Sequence, residues 1–277
     1  VPVPPVTSTR MPSIRPHALP RSSSRRMRAL GHQAGASGRA RDTCAVASPP
    51  RMADAWAMTW LFGSGKTTMV TPDDAMPGRD HYLYDVPKLH AVLGTPLKGP
   101  WTPTTEVLYV GMGCFWGAER KFWQKDGVIS TAVGYQGGFT PYPTYEETCT
   151  AKTGHTEAVL IAYEPDEIST YDILKTFWEN HDPTTQYRQG NDIGTQYRSA
   201  IYWTNEQQRE LIEATRDAYA HVLAERGFDP ISTEIAPADG REFYYAEDYH
   251  QQYLYKIPHG YNCASETGVL LPPLLTD

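Results

Sequence analysis

Residues 106–117 read EVLYVGMGCFWG, a short apolar run that leads into a glycine-rich turn with one cysteine. The first half of this stretch predicts a β-strand, and residues 115–125 have the character of a helix. We therefore expect Cys114 in the first helical turn, where free backbone N–H groups and the helix dipole stabilise a thiolate. Phe115 and Trp116 place two large aromatic side chains beside the sulfur, which suits a small apolar group such as an S-methyl. A lone cysteine in a strand–helix core is ordinarily a packing residue, and the glycines and aromatics argue against that interpretation here.

The other predicted elements follow one another without a strict repeat. Strands are predicted at 127–135, 156–163, 197–203 and 231–236, and helices at 171–180 and 246–255. A longer helix is predicted from Thr204 to Arg226, with Thr204 and Gln207 as a capping box and Gly227 as the C-terminal cap. The run TEAVLIAY at 156–163 is nearly continuous in apolar residues, so we expect it to be buried on both faces. This mixture favours an α+β fold, a two-layer α/β sandwich with long loops and a coil C-terminus after Ile257.

Charge divides the chain into segments. The 277 residues carry a net charge of −7, but residues 1–51 hold nine arginines, no lysine and one acid. This basic segment, rich also in Pro, Ser and Ala, is predicted to be disordered. Its composition is that of an organelle transit peptide; alternatively it is an upstream read-through, with Met52 or Met58 as the true start. Residues 52–104 are predicted to form an N-terminal extension that wraps a domain at 105–277, whose C-terminal segment is expected to be mobile.

Composition argues against several classes of protein. Four cysteines in 277 residues do not make a disulfide-stapled scaffold, and no run reaches the roughly 18 apolar residues that a membrane span needs. The acidic balance argues mildly against nucleic-acid binding. No metal site is expected, because no CxxC or HExxH spacing occurs. Residues 63–67 read GSGKT, but Trp60 stands where a phosphate-binding loop needs glycine, so we expect no nucleotide site.

GCFWG at 113–117 resembles the signature of the class A peptide methionine sulfoxide reductases. The resemblance continues, in the same order along the chain, through GHTEAV at 154–159, FWENHDPT at 177–184, GNDIGTQYRSAIY at 190–202 and FYYAEDYHQQYL at 243–254. It implies that 105–277 is a catalytic domain with a ferredoxin-like core. It also implies reduction of methionine S-sulfoxide, free and in proteins, and hence repair of oxidised proteins. The enzyme would be a monomer that needs no cofactor and takes its electrons from thioredoxin.

The same resemblance assigns roles to polar residues. Glu157 matches the family's acid, and desolvation at the start of a buried strand is expected to raise its pKa and keep it protonated. Without the resemblance, a solvated edge glutamate would be the usual interpretation. Tyr145 and Tyr197 match phenols that hydrogen-bond the substrate oxygen, and would otherwise be ordinary half-buried side chains. Asp192 matches a residue that binds substrate or orders the backbone near the pocket, although GNDIG is equally compatible with a simple turn.

Attack by Cys114 would leave a sulfenic acid, which a second cysteine must resolve. Cys263, in GYNCASETG, matches the family's resolving cysteine, and the resemblance implies a Cys114–Cys263 disulfide that thioredoxin reduces. The family often has Gly-Tyr-Cys there, whereas Asn262 intervenes in this chain. Leu270 and Leu271 fill the positions where some members have a further cysteine, so a single resolving cysteine is expected.

Three other residues near these motifs are interpreted as structural. Cys149 is the other candidate resolver but is expected to be a packing residue near the pocket, and His155 and His250 are not expected to bind metal. An alternative function is a thiol peroxidase or redox sensor, against which the aromatic pair argues, since peroxide has no methyl group to bury. A third is binding of nucleic acid or a surface through the basic segment. We expect a cytoplasmic protein, with organelle targeting by that segment left open.

Overall fold

The computed structural model describes residues 65–263 and 265–274 of the chain. The predictions for residues 1–51 lie outside the described residues. The strands in this range are β1 (Glu106–Met112), β2 (Val128–Gln136), β3 (Thr156–Tyr163), β4 (Arg188–Gln189), β5 (Asp192–Ile193), β6 (Ser199–Trp203), β7 (Glu234–Pro237) and β8 (Tyr244–Tyr245). The helices are α1 (Phe115–Trp123), α2 (Tyr145–Cys149), α3 (Thr170–Glu179), α4 (Glu206–Glu225) and α5 (Tyr253–Lys256), with 3-10 turns at Pro72–Asp74 and Thr195–Tyr197.

Six of the strands form one sheet in the order β7-β6-β1-β3-β2-β8. Neighbouring strands are antiparallel except β6 and β7, which are parallel. The inner strands β1, β2, β3 and β6, with α1 after β1 and α3 after β3, follow the β-α-β-β-α-β order of a ferredoxin-like core. The α+β fold class and the ferredoxin-like core are therefore confirmed. Strands β4 and β5 form a separate small hairpin.

Both faces of the sheet are apolar, because successive side chains along a strand point to opposite sides. Leu108 and Ile161 belong to the apolar cluster on one face, which α1, α3 and α4 cover. Leu160 belongs to the cluster on the other face, together with Leu97 and Trp101 of the extension. All of β3 is buried, as its apolar run predicts. The described part of the extension, although it lacks regular strands and long helices, thus supplies the second cover of the sheet.

Helix α4 is capped by a different residue from the predicted one. The side-chain oxygen of Asn205 accepts a hydrogen bond from the backbone N–H of Gln208 at 2.8 Å, which makes Asn205 the N-cap. The hydroxyl of Thr204 instead donates to a carbonyl oxygen of β1 at 2.8 Å. The capping box predicted for Thr204 and Gln207 was therefore wrong, because a tertiary contact engages the threonine. The prediction that Gly227 caps the C-terminal end of this helix is confirmed, since Gly227 has the left-handed φ of +80° that such caps adopt.

The predicted helix at 246–255 is reduced to α5. Gln252 has a left-handed φ of +48°. The side chain of Gln251 bonds to both the N–H and the carbonyl of Val133 in β2, at 2.9 and 2.8 Å. These contacts hold residues 248–252 in turns rather than in a helix. Helix α2 was not predicted, because five residues are too few to show a helical period.

Two predicted strands begin later than expected, and residues 63 and 64 of the GSGKT motif lie outside the described residues. Strands β6 and β7 begin at Ser199 and Glu234, and a 3-10 turn precedes β6. Residues 65–67 lie in a turn, where the carbonyl of Lys66 accepts a hydrogen bond from the N–H of Thr195 at 2.8 Å. No helix in the described part of the chain is long and apolar enough to cross a membrane.

The two edge strands of the sheet are short. Strand β7 has four residues and ends on Pro237, which has no N–H to donate, and β8 has only two residues. On the outer side of β8, the N–H of Tyr245 donates to the hydroxyl of Tyr82 in the extension at 3.1 Å. Both edges are therefore brief, and one is partly occupied.

The cap of α4 gives a test of this description. Asn205→Ala should lower the free energy of unfolding by about 1 kcal/mol, because it removes the N-cap. Gln207→Ala is the matched control, since Gln207 is exposed and should change stability by less than about 0.5 kcal/mol. Urea unfolding followed by circular dichroism measures both. A larger loss for Gln207→Ala than for Asn205→Ala would contradict the assigned cap.

Candidate active site

Cys114 lies where β1 passes into α1. It is the N-cap residue, immediately before the first helical residue, rather than within the first turn as the sequence predicts. Gly113 precedes it with φ +84°, and a Cβ at that position would lie 2.6 Å from the side chain of Gln189. A glycine is thus required both by the backbone conformation and by the closeness of the β4–β5 hairpin. This turn places the sulfur among the buried side chains described below.

Glu157 holds the start of α1 from the neighbouring strand. It lies at the beginning of β3 on the helix side of the sheet, and its carboxyl oxygen accepts a hydrogen bond from the backbone N–H of Phe115 at 3.0 Å. The residue is only 2% exposed. Burial, reinforced by the nearby acids Asp192 and Glu247, raises the pKa of Glu157 to about 8, while the Phe115 N–H partly offsets the rise. The carboxyl is therefore protonated at neutral pH, as the sequence predicts.

The pKa of the Cys114 thiol is not lowered, as the sequence predicts, but raised. Burial raises its pKa well above the ordinary value, and Glu157 raises it further, whereas the backbone N–H of Trp116 only partly offsets these effects. The expected stabilised thiolate is thus not the resting form, because removal from water outweighs the helix N-terminus. At neutral pH the sulfur therefore carries its proton.

Tyr145 and Tyr197 approach the same pocket from two short elements. Tyr145 begins α2, and Tyr197 ends the 3-10 turn before β6. Burial is the main cause that raises the pKa of both phenols. For Tyr197, the next causes are Glu157, Tyr145, Cys149 and Cys114, in that order. The thiol, the carboxyl and both phenols thus lie close enough to affect one another's ionisation, so the structure brings these four predicted residues together.

The side chains of Phe115 and Trp116 form an aromatic wall beside Cys114, and both are buried. The indole N–H of Trp116 donates to Nδ1 of His250 at 3.0 Å, and its ring stacks on Tyr253 with 3.9 Å between centroids. The imidazole also packs against Phe115 and Tyr145, with centroids 5.1 and 4.5 Å away. These contacts fix the two aromatic rings, and their faces are suited to contact a small apolar group.

Cys263 and Asp192 also lie close to the Cys114 thiol. The C-terminal segment passes the β4–β5 hairpin, where the hydroxyl of Tyr261 donates to the Asp192 carboxylate at 3.1 Å from each oxygen. The Cys263 thiol donates to the Gln189 carbonyl at 3.5 Å. Burial, followed by the effect of Asp192, raises the pKa of Cys263 to about 11. Cys114 and Cys263 line one cleft of about 30 Å³, and both are free thiols.

Glu247 is a site residue that the sequence reasoning missed. Its carboxylate accepts the hydroxyl of Tyr135 at 2.8 Å and the backbone N–H of Tyr145 at 2.9 Å, so it holds the first residue of α2. Burial raises its pKa. The only signal for it was an acid within the aromatic-rich stretch FYYAEDYHQQYL, which shows an unusual setting but not a partner.

Two of the residues interpreted as structural, Cys149 and His155, make the following contacts. Cys149 is half-buried at the end of α2, beside the phenol of Tyr145 and near Glu157. His155 accepts the N–H of Gly138 at one ring nitrogen and bonds the Thr140 carbonyl at the other, at 3.0 and 2.7 Å. Among the described residues, no group of three or more His, Cys, Asp or Glu side chains is arranged to hold a metal ion.

Comparison with known proteins places this geometry in a family. Residues 106–270 match the family model described as peptide methionine sulfoxide reductase. The peptide methionine sulfoxide reductase MsrA of Rhodospirillum centenum is 56% identical over 212 residues, which cover 76% of this chain and 95% of that protein. A Synechocystis MsrA protein is 54% identical over 212 residues, with 76% and 94% covered. The solved methionine sulfoxide reductase A of Corynebacterium diphtheriae is 46% identical with a TM-score of 0.65, over 74% of this chain and all of that one. On the match of model, sequence and fold, this chain belongs to the peptide methionine sulfoxide reductase family.

Proposed function

We propose that this enzyme reduces methionine S-sulfoxide, free and in proteins, to methionine, and so repairs oxidised proteins. One observation carries the proposal: a cysteine thiol, a carboxyl group whose pKa is raised to about 8 and two phenols are buried close to one another. A sulfoxide needs a nucleophile at sulfur and hydrogen-bond donors at oxygen, and these groups supply both.

The pocket supports one orientation of the substrate. The S-methyl group contacts the rings of Phe115 and Trp116, which offer a dry apolar surface. The sulfoxide oxygen then points toward Glu157 and the phenols of Tyr145 and Tyr197. An uncharged carboxyl donates a hydrogen bond to that oxygen, whereas a carboxylate would repel it. Epimers of the sulfoxide differ in where oxygen and methyl lie, so the opposed aromatic and polar walls select one epimer.

The first step transfers oxygen from one sulfur to another. Sγ of Cys114 attacks the sulfoxide sulfur, and the thiol proton moves to the substrate oxygen with Glu157 as the acid that assists. The attack forms an Sγ–S bond, which breaks again as the oxygen passes to Sγ. In the balance, the S–O bond of the substrate breaks, an Sγ–O bond forms and Cys114 becomes a sulfenic acid. The substrate sulfur gains the two electrons that the cysteine sulfur loses, and methionine leaves.

The second step is the resolution of the sulfenic acid. Cys263 attacks Cys114, a disulfide forms and water leaves. Its place beside the cleft supports this role, and Asp192 holds the segment through Tyr261. The dithiol of thioredoxin then reduces the disulfide by exchange and becomes oxidised itself. We propose a cytoplasmic setting, since the cycle depends on a compartment that keeps such dithiols reduced. We also propose that the enzyme is a monomer.

Variants of Cys114 and Cys263 distinguish the roles of the two cysteines. Cys114→Ser should abolish reduction of the S epimer with every reductant, since no nucleophile remains. Cys263→Ser should release about one methionine per chain and turn over with dithiothreitol, yet lose turnover with thioredoxin, because no disulfide forms. Methionine is quantified by chromatography with separated S and R epimers. Cys149→Ser is the matched control and should keep thioredoxin-dependent turnover.

Two results would contradict this assignment. Equal reduction of both epimers by the wild type would reject the proposed orientation of the substrate. Loss of thioredoxin-dependent turnover in Cys149→Ser, with Cys263→Ser unaffected, would transfer the resolving role to Cys149.

The raised pKa of Glu157 predicts the pH dependence of the first step. Because the acid must be protonated, the single-turnover rate should fall as pH rises through about 8. Glu157→Gln keeps a neutral donor that cannot transfer a proton, so it should lower the rate by about 10²-fold and remove that limb of the pH profile. Rapid quenching at a series of pH values measures both. A limb that persists unchanged in Glu157→Gln would show that another group is the acid.

A further inference from the structure

Residues 76–79 of the N-terminal extension form hydrogen bonds with the segments that precede and follow helix α2. The N–H of Met76 donates to the carbonyl of Lys152 beyond the end of the helix, at 3.0 Å. The N–H of Arg79 donates to the carbonyl of Pro141 before its start, at 3.1 Å. Between them, Gly78 has φ +67°, and a Cβ there would lie 2.4 Å from the Pro141 oxygen. The extension therefore lies directly on the loop that leads into α2.

The side chain of Arg79 makes the strongest of these contacts. Its guanidinium pairs with both carboxylate oxygens of Glu147, at 2.9 and 2.5 Å, and also donates to the Tyr142 carbonyl at 2.6 Å. The two charged side chains are 21% and 19% exposed, so solvent screens the pair only in part. The pair holds the pKa of the Glu147 carboxyl below its ordinary value. A bidentate arginine–carboxylate pair fixes the relative orientation of the two side chains as well as their distance.

Glu147 connects this contact to the helix itself. It is the third residue of α2, and its carboxylate accepts the backbone N–H of Thr144 at 2.9 Å, which completes a capping box. A helix of five residues has no stability of its own in water. Tyr142 and Ala151, which flank it, have left-handed φ values of +48° and +61°, a strained conformation for both. Tertiary contacts must therefore hold α2 in place.

These observations lead from the extension to the chemistry. The first residue of α2 is Tyr145, and its backbone N–H donates a hydrogen bond to the Glu247 carboxylate at 2.9 Å. We propose that Arg79 is a positioning residue, which sets the phenol of Tyr145 against the sulfoxide oxygen by clamping Glu147. The inference rests on the proposed role of Tyr145 in the reaction. It makes the extension part of the catalytic apparatus, although no residue of 65–104 carries a reacting group.

A double-mutant cycle on the full-length enzyme tests the proposal. Arg79→Gln, Tyr145→Phe and the double variant are compared with the wild type by the single-turnover rate of methionine formation, without added reductant. Arg79→Gln should lower the rate about tenfold, because the phenol loses its alignment. In the Tyr145→Phe background, the same change should lower it by less than about twofold, because the hydroxyl that Arg79 positions is already absent. A role in general stability would lower both backgrounds alike.

Conservative variants guard against a failure to fold. Arg79→Lys keeps the charge but not the two-pronged geometry, and should retain an intermediate rate. Glu147→Gln keeps an acceptor for the Thr144 N–H while removing the charge, and should match Arg79→Gln. Arg209→Gln is the matched control, since it breaks ion pairs with Glu206 and Glu213 on the surface of α4 and should leave the rate unchanged.

Hydrogen exchange supplies an independent measurement. Arg79→Gln should speed exchange of the amides of α2, while those of β3 stay protected. Unchanged exchange in α2, an unchanged rate in Arg79→Gln, or equal losses in both backgrounds would each overturn the proposal. Failure of the underlying role of Tyr145 is seen separately, because Tyr145→Phe alone would then react at the wild-type rate.

Discussion

The hydrogen bond from the backbone N–H of Phe115 to the carboxyl of Glu157 joins the two halves of the site. It fixes the start of α1, with the nucleophile and the aromatic wall, against the start of β3, with the acid. Both groups are removed from water, and burial favours the uncharged form of each. A Glu157 carboxylate would also raise the pKa of the thiol. The pocket therefore holds both reactive protons at rest, which suits a reaction that consumes a proton at oxygen as sulfur is attacked.

The irregular parts of the chain are as necessary to this site as the sheet. At the C-terminal side, Ser265 donates to the Gln189 side chain at 2.6 Å, so the coil is tied down beyond Cys263 as well as before it. At the other side, His90 of the extension bonds the Thr131 hydroxyl, which in turn donates to the buried carboxyl of Glu119 in α1, at 2.9 and 3.0 Å. The helix that carries the aromatic wall is thus connected through β2 to the extension. Regular structure sets the pocket, and coil segments hold its walls.

Prediction from the sequence succeeded where a pattern is local. The bounds of β3 and the place of Cys114 between a strand and a helix follow from apolar runs and glycines. The burial of Glu157 was expected from the family resemblance, since a glutamate at the start of a strand is usually solvated. Patterns failed where a distant contact decides. The thiol pKa depends on how deeply the pocket is closed, Thr204 is taken from its capping role by β1, and the partners Arg79 and Glu147 are 68 residues apart. Such pairs leave no periodic trace in one sequence.

The short edges of the sheet affect how an oxidised protein can bind to the enzyme. An exposed sheet edge is a template to which another chain adds as a strand. Here β7 ends on Pro237 and β8 offers two residues, one of whose N–H groups is already engaged by Tyr82. Within the described residues, these edges of the sheet thus offer a partly unfolded protein only a short ladder to extend. Short edges disfavour the addition of a further strand, and so lower the risk that the enzyme aggregates with the unfolded chains that it repairs.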